Sequence, residues 1–363
     1  MNRDTVIGFV LIALVLIGFS WYNQPSAEQI EAARKQDSIA AAIRDNNAKK
    51  QQAEAAARKA QAEQAAKGDT SALFFSALNG QDAPVVLKNS KVELTFSTKG
   101  GAISKAVIKG FQNVDNTKDE VTLFDQKTQQ MNFMLAGKSE NIITKDLYFT
   151  PSNISDSTVT MTATAGNGGS IVLDYTLGQD YLLHFTLQAN GLGGIFAPNY
   201  KEVDIEWSDL CRQQERGFTF ENRYTSVTYK KSNGGTDYLN ETSEKIDEKI
   251  EESLDWVAYK NQFFSAALIS KDNFSANSLL TSIPQEKGSG YLKQFNARLK
   301  TAFDPTGSTP SEFEMYIGPN DFRLIKDVEQ QSTFGKDLDL EQLVNLGWWL
   351  VRWINRWFTI YVF

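Results

Sequence analysis

The chain has 363 residues, a net charge of −7 and a pI near 5.1, so it has room for one large domain or two ordinary ones and lacks the basic surface that nucleic-acid binding requires. A single cysteine, Cys211, excludes an internal disulfide and any cysteine-rich zinc site. A single histidine, His184, leaves little for histidine-based catalysis.

The first element is apolar. No residue from Thr5 to Gln24 is charged, and Val6–Phe19 comes close to the roughly 20 residues that cross a bilayer. Trp21 and Tyr22 follow where an aromatic belt forms. Met1-Asn-Arg-Asp4 is barely positive and the residues after the apolar run are bulky, which argues against a cleaved signal peptide. Residues 1–26 are therefore expected to be an uncleaved transmembrane anchor. The flanking charges, Arg3 on one side and Arg34 and Lys35 mixed with Glu28 and Glu31 on the other, do not set its orientation. Residues 27–70 are rich in Ala, Gln, Lys, Glu and Arg, which favours helix. Ile30, Ile39 and Ile43 make no sustained heptad, so a semi-rigid or partly disordered spacer is expected.

From Ser71 to about Pro319 the texture becomes short β patterns punctuated by turns. Lys91–Ser97 alternates strictly, and Thr98-Lys-Gly-Gly101 turns it into Ala102–Ile108. Further strands are predicted at Val121–Phe124, Asp146–Thr150, Thr158–Ala165, Ser170–Leu177, Tyr181–Ala189, Val203–Trp207, Tyr224–Tyr229, Trp256–Ile269, Phe274–Ile283 and Glu312–Ile317. So many strands at hairpin spacing imply a mainly β chain built as a large antiparallel sandwich over residues 71–319. His184 falls on one of these strands, where a structural histidine is expected, and Cys211 reads as a small buried hydrophobe. Glu241–Asp255 is acidic but interleaved with Lys245 and Lys249, as in a solvated loop or a short helix with i,i+4 pairs. No phosphate loop, zinc spacing or nucleophile elbow is present, and Gly191-Leu-Gly-Gly194 reads as a loop. The sequence therefore assigns no catalytic, cofactor-binding or metal-binding residues.

Residues 320–363 turn helical, with a predicted helix at Asp321–Gln331 and another from Asp339 onward. Leu346–Phe358 holds four of the seven tryptophans. At about 100° per residue, Leu346, Trp349, Leu350, Trp353, Ile354, Trp357 and Phe358 share one face, and Arg352, Asn355, Arg356 and Thr359 the other. Tryptophan prefers the headgroup level of a bilayer and arginine meets lipid phosphate. Candidate membrane-interface residues are therefore Trp21, Tyr22, Trp348, Trp349, Arg352, Trp353, Arg356, Trp357 and Phe358.

Taken together these stretches resemble the bacterial YidC insertase family in its Bacteroidetes-like version. Thr5–Ile12 with Gly18-Phe-Ser-Trp21 resembles its first membrane segment, and Phe96–Ile103 the hairpin that opens its periplasmic domain. Trp256-Val-Ala-Tyr-Lys-Asn-Gln-Phe-Phe264 resembles its central strand. Tyr316-Ile-Gly-Pro319, with Leu338-Asp-Leu and Gly347-Trp-Trp, is similar to its passage back to the membrane. The resemblance implies a chain that starts in the cytoplasm, crosses the inner membrane once and places a β-supersandwich in the periplasm before returning along the bilayer surface. Such a supersandwich is similar to galactose-mutarotase-like folds, but the histidine pair those enzymes use cannot exist beside His184 alone. The family's five further membrane helices and arginine-bearing groove do not occur before Phe363, so the chain is expected to be a fragment. The implied role is non-enzymatic: inserting nascent inner-membrane proteins, alone or with the Sec translocon, with the lipid bilayer as partner and no ribosome contact through these residues. An anchored periplasmic carbohydrate-binding or scaffold protein is the alternative.

Overall fold

The computed structural model describes residues 73–112, 119–197, 199–239 and 244–344. These are mainly β. After a single helical turn, α1 (Phe75–Leu78), a four-stranded antiparallel sheet forms in sequence order from β1 (Pro84–Lys88), β2 (Val92–Ser97), β3 (Ile103–Gln112) and β4 (Glu120–Phe124). The β2–β3 turn needs Gly100 and Gly101, whose φ values are 87° and 69°. A side chain at Gly101 would also press on Leu173 and Phe149 at 3.0 Å.

The remaining strands join one fifteen-stranded sheet. Its path begins with β6 (Asn141–Ile143), β5 (Gln129–Ala136), β11 (Glu202–Arg212), β18 (Tyr291–Ala302) and β16 (Phe264–Phe274). It continues through β19 (Ser311–Pro319), β10 (Leu182–Asn190), β9 (Ser170–Leu177), β8 (Thr158–Thr164) and β7 (Thr150–Ser152). Off this path, β15 (Leu254–Lys260) pairs with β16 and carries β12 (Ser226–Lys231) and β13 (Thr236–Tyr238), and β17 (Ser278–Pro284) joins β18 to β14 (Ile246–Ile250). Ladders are antiparallel throughout the assigned pairs, so alternate residues face the core. β11 shows this over its full length, with Val203, Ile205, Trp207, Asp209 and Cys211 all turned inward.

Aromatic rings tie the two sheets together. Phe96 of β2 meets Tyr175 at 4.6 Å, and Tyr175 stacks on Phe185, which stacks on Phe313 at 4.9 Å. A second stack, Trp207–Tyr259–Phe295, has centroids 3.9 and 5.1 Å apart. Offset rings of this kind add to the area they bury.

The mainly β sandwich expected from the pattern is what forms, with differences in detail. The predicted run Trp256–Ile269 is two strands, because the Asn261 carboxamide accepts the backbone N–H groups of Phe263 and Phe264 at 2.9 and 2.7 Å and turns the chain. Asp146–Thr150 is not a strand; a 3-10 turn occupies Thr144–Asp146, with the Asn132 side chain accepting from Lys145 N–H. β18, the longest strand, does not stand out in sequence because Lys293 interrupts its inward face. The acidic run contains β14, an edge strand on β17 with Asp247, Glu248 and Lys249 exposed. Among the described residues no helix is long and apolar enough to cross a membrane, and the predicted anchor and spacer lie outside them.

Candidate functional site

β19 ends in the Tyr316-Ile-Gly-Pro motif. A side chain at Gly318 would collide with the Tyr181 ring at 2.7 Å, so the strand can pass that ring only with glycine there. Asp321 then caps the helix α3 (Phe322–Glu329), accepting Leu324 N–H at 2.9 Å. The shorter helix α2 (Phe218–Arg223) follows β11 earlier in the chain. Phe322, Ile325 and Val328 form the buried face of α3, and the chain continues as a largely irregular strap from Ser332 to Val344, in which the described start of the helix expected from Asp339 is a 3-10 turn, Leu340–Leu343.

An irregular segment with buried backbone must find side-chain partners for its carbonyls, and the strap finds them. The Trp256 indole donates to Leu338 O at 2.7 Å, wholly inside the protein. The Lys260 ammonium donates to Leu343 O at 3.2 Å, and Lys336 reaches out to Ser270 O at 3.0 Å and to the Asn273 carboxamide. Asp339, held in the left-handed region at φ 49°, pairs with Lys230 at 3.0 Å. Between these bonds Leu338, Leu340 and Leu343 are fully buried in the core. That core thus continues beyond residue 319, where the strand pattern in the sequence ends.

His184 belongs to the same framework. Its Nδ1 lies 3.1 Å from the buried Glu314 carboxylate, which also accepts Thr333 N–H at 2.8 Å at the start of the strap. Burial pushes the Glu314 carboxyl up, but hydrogen bonds from His184, Ser332 and Thr333 outweigh it and hold the group below its ordinary value.

A polar cleft of about 1170 Å³ opens between the four-stranded sheet and the end of β11, with Lys105, Thr122, Asp125, Arg212, Arg216 and Tyr291 on its walls. The loop Gln213–Arg216 forms one side. It is clamped from behind by Glu221 of α2, which accepts the N–H groups of Gln214 and Glu215 at 3.0 and 2.9 Å, while the Gln214 side chain donates to Thr122 O across the sheets. Burial raises the Glu221 carboxyl to about 7 despite those donors. Arg212 pairs with Asp125 on the floor. Below it, burial raises Asp209 to about 8 against the pull of Arg212, and its Oδ1 has no hydrogen-bond partner in the described protein. The same burial pushes the Cys211 thiol well up, in keeping with a hydrophobe rather than a nucleophile. These groups can hold a polar ligand by charge-assisted hydrogen bonds.

The membrane-interface residues singled out in the sequence, Trp21, Tyr22, Trp348, Trp349, Arg352, Trp353, Arg356, Trp357 and Phe358, lie outside the described residues. What the sequence left unassigned is the set of donors that fix the strap, Trp256, Lys260 and Lys336, and the loop clamp Glu221. The only local signal was that Trp256 and Lys260 fall inside the Trp256–Phe264 block.

Fold and strap together define a β-sandwich domain whose final segment is bound to the sheet as it leaves the domain. The family profile of the YidC periplasmic domain matches residues 84–361. The chain is 45% identical to the membrane protein insertase YidC of Phocaeicola vulgatus and 40% identical to that of Bacteroides fragilis, in each case over 100% of this chain and 58% of the relative. The insertase of Parabacteroides distasonis is 36% identical over 100% of this chain and 59% of its own length. The chain belongs to the YidC family, and it spans just under three-fifths of the length of these relatives. Among solved structures it is similar to a putative aldose 1-epimerase from Escherichia coli K12, at 9% identity and a TM-score of 0.40 over 66% of this chain and 100% of that one. It is also similar to a galactose mutarotase-like protein from Lactobacillus casei, at 12% identity and a TM-score of 0.42 over 65% and 100%. Likeness this distant carries no chemistry across.

Proposed function

We propose that the chain forms the N-terminal and periplasmic portion of a membrane protein insertase of the inner membrane. In this reading residues 1–26 anchor it, the sandwich stands in the periplasm, and Leu346–Phe358 lies along the bilayer surface with Trp349, Trp353, Trp357 and Phe358 toward lipid, Arg352 and Arg356 toward phosphate and Trp348 beside the arginines at the headgroup level. Trp21 and Tyr22 mark the outer end of the anchor. Its partners are the lipid bilayer, nascent inner-membrane proteins and the Sec translocon, and its action is non-enzymatic. The observation that carries the reading, beside the kinship, is the strap: Trp256 and Lys260 bind Leu338 and Leu343 directly before the tryptophan-rich segment, so the domain sets where that segment starts.

The test is insertion itself. In cells depleted of this protein, newly made inner-membrane proteins should lose their normal protease-resistant topology, and its gene should restore it. The same gene carrying Trp349→Ala, Trp353→Ala and Trp357→Ala should restore it poorly. Normal insertion throughout depletion sinks the reading.

A further inference from the structure

The end of the sandwich where the strap leaves is also where aromatic rings face outward. Three phenylalanines among the described residues are exposed, Phe111, Phe220 and Phe263, at 40%, 54% and 39%. Phe111 lies at the end of β3 and Phe263 in the β15–β16 turn. They share a shallow dent of about 310 Å³ with Phe264 and Pro319, in which Phe111 meets Phe264 edge-on at 5.3 Å. Phe220 stands on α2, whose Glu221 holds the Gln214–Glu215 backbone that lines the same dent.

The turn that presents Phe263 is rigid. Asn261 accepts from Phe263 N–H and Phe264 N–H, and Asn320 N–H donates to Phe263 O at 2.7 Å. The Asn320 side chain adds bonds to Asn261 O at 3.0 Å and from the Ser265 hydroxyl at 2.6 Å. Phe111 and Phe263, which share the dent, differ from the single exposed hydrophobes that any surface carries, and Phe220, edge-on to Tyr224 at 5.3 Å, stands on the helix that braces the wall of that dent. Their position relative to the chain exit selects the partner. Lys260, three residues before Phe263, holds Leu343 O at 3.2 Å, and the four residue-to-residue steps from Val344 to Trp348 span at most about 14 Å.

We propose that this end of the domain docks on the bilayer, with Phe111, Phe220 and Phe263 entering the headgroup region beside the tryptophan-rich segment. The inference rests on the reading that Leu346–Phe358 lies at the membrane surface, and it adds a second, independent contact made by the sandwich itself. The rim of the dent carries Glu215 and Asp321, so ring burial rather than charge attraction drives the contact.

The test uses the full chain in nanodiscs of phosphatidylcholine with one nitroxide label at a time; Cys211 is buried and free, so it stays unlabelled. A label at Phe263→Cys should collide with oxygen more often than with a water-soluble nickel chelate. A label at Ile154→Cys, an exposed site on the β7–β8 turn at the sheet edge, should show the reverse, and both variants should melt like the parent. Anionic lipid should not deepen the label at 263. A third label, Trp349→Cys, reports the underlying reading. Lipid exposure at 349 with water exposure at 263 overturns the docking and leaves that reading standing, whereas water exposure at 349 overturns the reading itself. A 263 label shielded from both reagents points to a protein contact and also overturns docking on lipid.

Discussion

The strap Ser332–Val344 and the loop Gln213–Arg216 are both irregular segments held against strands, but by opposite chemistry. The strap offers carbonyls, which accept from the Trp256 indole and the Lys260 ammonium, and its own Lys336 donates back to Ser270 O. The loop offers N–H groups, which donate to the Glu221 carboxylate. An indole N–H does not titrate, whereas Glu221 is raised to about 7. The strap also buries three leucines, while the loop borders an open polar cleft. The strap is therefore a fixed connection, and the loop is a wall whose hold varies with proton concentration.

The strongest way to break the comparison is to delete one side of it. A chain running from Ser71 to Gln331 carries all the alternating strands, and from sequence alone it should fold by itself. Ending it there removes Leu338, Leu340 and Leu343, each worth about 1.5–3 kcal/mol when buried, and leaves the Trp256 N–H without its acceptor. Urea unfolding should show it several kcal/mol less stable than a chain ending at Val344. Equal midpoints and slopes for the two would make the strap a passenger. Next in size, Trp256→Ala should cost about 3–5 kcal/mol through the cavity it leaves. Lys336→Met, which strips donors from Ser270 O and the Asn273 carboxamide, should cost about 1–3 kcal/mol.

The loop side is sharpened by pH. Glu221 and Asp209 are raised in the fold to about 7 and about 8 from ordinary values of 4.5 and 3.8, so the unfolded chain gives up these protons first. Their contribution to stability is full below about pH 4 and is lost as pH rises through 7 and 8. Denaturation midpoints should fall over that window, and the double variant Glu221→Gln with Asp209→Asn should flatten the decline. A slope unchanged in the double variant would place the titration elsewhere. The smallest effect belongs to exposed β14, where Lys245→Ala breaks the surface pair with Asp247 and should shift stability by no more than about 0.5 kcal/mol.

Much of the fold was legible because alternation is a local property. β9 runs over Ser170–Leu177 as read, since every second residue is apolar and a turn bounds each end. β14 was not legible: Ile246-Asp-Glu-Lys-Ile250 has strand character only because β17 supplies a ladder to pair with. Nor was β18, whose inward-facing Lys293 looks like a surface residue until Thr225 O is seen to receive its ammonium at 2.7 Å. The site was less legible than the fold, because the cleft and the strap are built from residues with no shared pattern.

From the sequence alone came the β class, the uncharged Thr5–Gln24 run, the amphipathic character of Leu346–Phe358 and the kinship with the insertase family, all carried by residues close together in the chain. The tertiary structure alone decided that Trp256 meets Leu338, 82 residues away, and that Lys260 meets Leu343, 83 residues away. Local pattern states that a buried indole N–H and a buried carbonyl each need a partner. Which partner each obtains depends on how the sheet curls and where α3 returns the chain, and that is settled only when the whole core packs.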